Sequence, residues 1–135
     1  MTGMTPFSTR NALACWYAPC RRSSSAGNVL YELDGKPAGF ALFFHNYSTW
    51  TGRPGIYLED FFVFEWAPGH GLGKRLITRL ARIAKERDCG RIDLGVLNWN
   101  KTREFYHRMG INHMDQWLPY RADRAGIDPA NLRVD

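Results

Sequence analysis

Glu59 and Asp60 sit inside an apolar run, IYLEDFFVF, at residues 56–64, and a glycine-rich segment follows closely. That segment, Gly69-His70-Gly71-Leu72-Gly73-Lys74, opens a stretch with helical periodicity. A strand emptying into alternating glycines lets the backbone come close to a ligand. The helix that starts there directs unpaired N–H groups and the positive end of its dipole at the same spot. The chemistry implied is an anion, above all a pyrophosphate, held beside a strand that carries carboxylates.

On a regular strand Glu59 and Asp60 point to opposite faces, and a bulge would re-aim them. Each is open to two readings, a proton acceptor or cation contact, or an ion pair with a nearby arginine. Basic residues recur after the glycines at Arg75, Arg79 and Arg82, and again at Lys101, Arg103 and Arg108. They read either as solvated helix faces or as a positive field around a bound polyphosphate.

The elements that must position these groups are legible from pattern. Val29 to Leu33 reads as a strand, Asp34-Gly35 as a hairpin turn, and Ala38 to Tyr47 as a second strand. Ser48 to Gly55, with Gly52 and Pro54, reads as a loop before a third strand from Ile56 to Phe64. Leu72, Leu76, Ile77, Leu80, Ile83 and Ala84 share one face of a helix ending near Cys89-Gly90. A buried strand from Arg91 to Leu97 follows, parallel to its predecessor because a helix connects the two. A short helix from Lys101 to Met109 closes at Gly110, and a last strand falls around Trp117 to Arg121. The class is α+β, a mixed and mostly antiparallel sheet with helices packed on it. Residues 1–27 show no clear period and form an atypical segment, 28–125 the domain, and 126–135 a polar tail.

At 135 residues the chain makes one domain with a single core. The 18 basic and 13 acidic residues give a net charge of +5, which suits a polyanionic small ligand. No run of adjacent basics is interleaved with stacking aromatics, so nucleic acid is not expected as a partner. No apolar run is long enough to span a bilayer, and the first residues lack a signal-peptide pattern, so the expected location is cytoplasmic without membrane attachment. Cys15, Cys20 and Cys89 have neither disulfide-framework nor zinc-ligand spacing, and no metal is expected.

Three segments carry a resemblance: GFALFFHNYSTWTGRPGIYLEDFFV at 39–63, GHGLGKRL at 69–76, and VLNWNKTREFYHRMG at 96–110. With the looser HMDQWLPYR at 113–121, they make the chain similar to the GNAT acetyltransferase superfamily. Within it the chain resembles the polyamine (spermidine/spermine) and thialysine acetyltransferases. The resemblance implies helices on both faces of the sheet and a splayed parallel strand pair whose cleft takes the pantetheine arm of acetyl-CoA. Backbone groups of Phe62 and Val63 would meet that arm. Main-chain N–H groups of Gly69, His70, Gly71, Leu72, Gly73 and Lys74 would cradle the pyrophosphate. Asn100 would bond the arm or cap the following helix.

The resemblance also makes Glu59 the acceptor of the substrate proton and Tyr106 the acid for the departing thiolate. Asp60, Tyr47, Trp50 and Asp115 would contact a small-molecule amine, Asp115 across a homodimer interface. The chain departs from the family pattern in two places. Pro68 stands where the loop normally begins with arginine, and Phe64 to Ala67 lacks the usual arginine-proline pattern. Only 27 weakly patterned residues precede the hairpin, where the family places a strand and two helices. Against the enzyme stands a degenerate domain that binds CoA or a partner without acetylating.

Overall fold

The computed structural model describes residues 26–67 and 71–132. The expectations for residues 1–25 and for Pro68, Gly69 and His70 therefore lie outside the described residues. Among the described residues are four strands: β1 (Ala26–Leu33), β2 (Lys36–Ser48), β3 (Arg53–Val63) and β4 (Ile92–Leu94). Two α-helices accompany them there, α1 (Leu72–Glu86) and α2 (Thr102–Arg108). The strands form one sheet in the order β1-β2-β3-β4. The first two pairs are antiparallel, and β4 joins β3 in parallel after the α1 crossover.

Asp34 and Gly35 both have positive φ, 51° and 73°, the geometry of the tight hairpin turn expected from their sequence. The next connection is shorter than its glycine and proline suggest. Ser48 and Arg53 face each other across the β2–β3 ladder, and Gly52, at φ 62°, donates its N–H to the Ser48 carbonyl at 2.9 Å. Ser48 and Arg53 to Gly55 are thus strand rather than loop. Pro54 fits because the N–H of Ile56, two residues on, points toward the β4 side. By strand alternation the donor that Pro54 lacks would also have pointed there, beyond the start of β4.

One hydrophobic cluster holds the domain together. Ala38, Ala41, Phe43, Ile56, Leu58, Phe61 and Val63 from the sheet meet Leu72, Leu76, Ile77, Leu80 and Ile83 of α1 and Phe105 and Tyr106 of α2. Both helices therefore pack on the same sheet face. A helix on the second face has no counterpart among the described residues. Phe40, Phe62 and Phe64 cluster on that second face, as do Phe44 and Tyr57, whose rings stack at 5.0 Å.

The expected strand from Arg91 to Leu97 is ordered as β4 only over Ile92–Leu94. Its pairing with β3 stops at Leu58↔Leu94, beyond which the two chains diverge. The strand expected around Trp117 to Arg121 is absent; that segment is irregular, with Trp117 67% and Tyr120 91% exposed. Among the described residues the tail pairs with neither outer strand of the sheet, β1 or β4. The segment Phe64 to Ala67 is firmly tied. Phe64 donates to the Ala38 carbonyl at 2.9 Å, and the Trp66 indole donates to the Pro37 carbonyl at 3.1 Å.

Candidate active site

The divergence of β3 from β4 opens a cleft at the carboxyl ends of the two parallel strands. Its lining includes Leu58, Glu59, Phe61, Val63, Asn100 and Tyr106. A fault in the ladder brings Glu59 there. Phe43 pairs with Leu58 and Leu42 with Asp60, so Glu59 is an extra residue, a β-bulge. The bulge lets Leu58 and Phe61, three apart, both enter the core, while Asp60 pairs with Leu42 on the other face.

Backbone direction follows from the same register. Phe64 gives its N–H to β2, so by alternation the amide of Phe62 also faces β2, and those of Phe61 and Val63 face the opened edge. Of the two residues expected to offer backbone groups, Val63 has its amide on the opened edge and lines the cleft, whereas the amide of Phe62 faces β2.

Tyr106 is buried, its ring 6.0 Å from that of Phe61 and 5.4 Å from that of Phe105. No described residue forms a hydrogen bond with its hydroxyl, which is left to the cleft. Burial pushes the phenol up to about 12, so it stays protonated throughout the ordinary pH range. Asn100 accepts from both the N–H and the hydroxyl of Thr102, each at 2.9 Å. It ties down the start of α2 while lining the cleft. Neither Glu59 nor Asp60 has an ion-pair partner among the described residues.

The helix α1 begins at Leu72, whose side chain joins the same core cluster as Phe61 and Val63. Gly71 is left-handed, at φ 63°, where nothing would obstruct a side chain, so the position favours glycine for its backbone rather than for space. The first helical bond runs from the Arg75 N–H to the Gly71 carbonyl at 3.0 Å. The amides of Leu72, Gly73 and Lys74 are thus without helical acceptors. Leu72 and Gly73 have buried side positions and Lys74 is exposed.

The remaining expected residues are not brought to this cleft. Tyr47 and Trp50 lie at the β2–β3 hairpin, 64% and 92% exposed. Asp115 is exposed on the irregular tail. Cys89 lies at the far end of α1 from Gly71, beside His45, and burial raises its thiol. That histidine clasps the sheet edge: Arg87 donates to Nε2 at 2.7 Å, so Nδ1 carries the proton that goes to the Gly55 carbonyl at 3.1 Å. No cluster of potential metal ligands exists among the described residues, and no described helix is long and apolar enough to cross a membrane.

A splayed parallel pair, a bulged acidic strand and an amide-presenting helix start are thus combined in one domain. The family model described as "Acetyltransferase (GNAT) family" matches residues 4–111. The chain belongs to this family. The match begins well ahead of β1, so the family pattern takes in most of the N-terminal segment. The thialysine N-epsilon-acetyltransferase of Mus musculus is 36% identical over 87 residues, covering 62% of this chain and 51% of that protein. An L-ornithine N5-acetyltransferase of Arabidopsis thaliana is 38% identical over 81 residues, 59% of this chain and 36% of that one. The chain therefore spans about half the length, or less, of these curated relatives. Among solved structures, an integron cassette protein from the mobile metagenome of V. cholerae superposes with a TM-score of 0.75 at 26% identity. That superposition covers 86% of this chain and 74% of the other.

Asp60 supplies a pH prediction. Burial, and then the neighbouring Glu59 charge, raise its carboxyl above the ordinary value. The folded state thus holds this proton more tightly than the unfolded chain, and stability is lost as pH rises through the folded value. Asp60→Asn is expected to be more stable than the parent near pH 7, with the gap closing as pH falls through the raised folded value toward about 4. Urea midpoints at the two pH values measure it; a gap that widens in acid contradicts the assignment.

Proposed function

We propose that this chain is an acetyl-CoA-dependent N-acetyltransferase acting on a primary amine of a small molecule. Polyamines, diamines and thialysine-like amines are the first candidates. The observation that carries this reading is the meeting of a carboxylate, Glu59, and a phenol, Tyr106, neither with a side-chain partner among the described residues, in the cleft between the diverging strands. Acetyl-CoA supplies the acetyl group as a thioester already activated for transfer.

The residues present fit such a cosubstrate. The opened edge of β3 at Phe61 and Val63 offers N–H and C=O groups to an extended arm, and a Phe61 N–H is suited to polarising the thioester carbonyl. The amides of Leu72, Gly73 and Lys74 suit a pyrophosphate. An alkyl ammonium, with a pKa of about 10.4, must give up a proton before it attacks, and Glu59 accepts that proton directly or through water. The amine nitrogen bonds to the carbonyl carbon as the carbon–sulfur bond breaks, and the electron pair leaves on sulfur. Tyr106 faces that sulfur as a hydrogen-bond donor. Its phenol, near 12, is a weaker acid than a thiol of about 8.5, so the thiolate departs hydrogen-bonded and solvent completes its protonation.

Asp60, Tyr47, Trp50 and Asp115 belong to this reading as amine contacts, completed by a second copy of the chain in a cytoplasmic homodimer. Exposed Met114, Trp117 and Leu118 beside the short outer edge of β4 support such pairing. The test is CoA release across an amine panel, with oligomeric state measured alongside. Turnover with at least one primary amine is expected. Thermal protection by acetyl-CoA with no turnover on any amine would instead establish a binding-only domain.

A further inference from the structure

The outer face of α1 carries a feature that acetyl transfer leaves unexplained. A groove of about 440 Å³ runs from Gly71 along the helix toward β1, lined by Tyr31, Lys74, Arg75, Thr78, Arg79 and Arg82. Every one of these side chains is a hydrogen-bond donor, four are cations, and no carboxylate is among the described lining residues. Among the described residues Glu86 is the acid that pairs with one of these cations, 3.7 Å from Arg79 in an exposed pair of little energetic weight. Lys74, Arg75 and Arg82 have no ion-pair partner among the described residues.

The placement runs against helix electrostatics. Cations in the first turn are repelled by the positive end of the helix dipole, where acidic residues are normally favoured. The first turn of α1 has no acidic residue, yet it holds Lys74 and Arg75. A solvated face would gain nothing from concentrating charge at that end. A bound polyanion would, and the groove opens at Gly71, beside the amides suited to a pyrophosphate.

We propose that this groove binds the 3′-phosphate of coenzyme A, with Arg75 and Arg79 as its principal contacts and Lys74 shared with the pyrophosphate. The inference rests on the acetyl-CoA reading of the cleft. A phosphate monoester joined to the pyrophosphate through one ribose lies within reach of the first two helical turns, because helical side chains lean toward the N-terminus. Arg79 reaches it by leaving Glu86. The Thr78 hydroxyl between the two arginines adds a neutral donor. The consequence is discrimination between coenzyme A and its 3′-dephospho form.

The experiment measures calorimetric affinities of the full chain for acetyl-CoA and for acetyl-3′-dephospho-CoA at fixed salt, in the parent and in Arg75→Gln/Arg79→Gln. The parent is expected to prefer acetyl-CoA about tenfold, equivalent to about 1.4 kcal/mol. The double variant should lose most of that preference while binding the dephospho form nearly as the parent does. Adenosine 3′,5′-bisphosphate should compete with acetyl-CoA. Equal affinity of the parent for both thioesters overturns the proposal, as does a preference that survives in the variant. Bisphosphate binding that leaves acetyl-CoA in place marks a separate phosphate site and also overturns it. Failure to bind either thioester removes the acetyl-CoA reading itself, and the proposal with it.

Discussion

Tyr106→Phe is expected to lower turnover about 10²-fold while leaving acetyl-CoA affinity within a factor of two. The hydroxyl makes no hydrogen bond within the described protein, so its removal costs the fold nothing beyond a small change in the cleft. The ring keeps its packing against Phe61 and Phe105. What disappears, on the function proposed above, is the donor to the leaving sulfur. Because burial holds the phenol near 12, Tyr106 contributes no limb to the rate profile between about pH 5 and 10. The shape of that profile should therefore persist in the variant at lower amplitude. CoA release measured with a thiol reagent, beside calorimetric binding, separates the two effects. Turnover within threefold of the parent would remove Tyr106 from the mechanism.

Leu76→Ala is expected to destabilise the domain by about 3–5 kcal/mol, the upper part of the range for buried leucine truncations. Leu76 is fully buried at the centre of the stripe that attaches α1 to the sheet. Its Cδ1 fills the notch left by Gly39, where an added Cβ would stand only 3.2 Å away. Gly39 is held in the central β2–β3 ladder opposite Val63, so the sheet cannot sink into the space vacated. Against a typical total of about 5–15 kcal/mol, such a loss leaves a sizeable unfolded population. The urea midpoint should fall with an unchanged slope, and the melting temperature by roughly 10 °C. A loss under 1 kcal/mol would mean that α1 is not anchored through this contact. In the surviving folded fraction, a shifted α1 would also misplace the amides of Leu72 to Lys74.

Much of this architecture could be read from local pattern because its causes are local. The Asp34-Gly35 turn, the apolar stripe of α1 and the stop at Gly110, with φ 80°, each depend on residues a few positions apart. Errors arose where distant pairing decided the outcome. Gly52 and Pro54 resemble loop residues, yet thirteen-residue β2 offers β3 a ladder that runs through Arg53. Arg91 to Leu97 and Trp117 to Arg121 are apolar enough for strands, but pairing partners govern strand length. β4 loses its partner after Leu94, and the tail has none within the described chain.

The candidate site shows the same division. Glu59, Asn100 and Tyr106 were legible as chemistry and do meet at one cleft. Which strand amides face that cleft was not legible, because a one-residue offset exchanges Phe62 for Phe61 and leaves no compositional trace. The basic groove left a weak trace in the four-residue spacing of Arg75 and Arg79. The participation of Tyr31 required the packing of β1 against α1.

The bulge at Glu59 separates two inheritances that a regular strand would couple. With Glu59 removed, Leu58, Asp60 and Phe61 would fall into plain alternation against Phe43 and Leu42, and every core side chain of β3 would keep its face. The acidic residue is an insertion that the folding pattern neither requires nor resists. Lineages descending from such a domain are free to change, lengthen or discard the reactive position while the hydrophobic code of the sheet stays intact. An ancestor with an unbroken ladder would need a single codon to gain it.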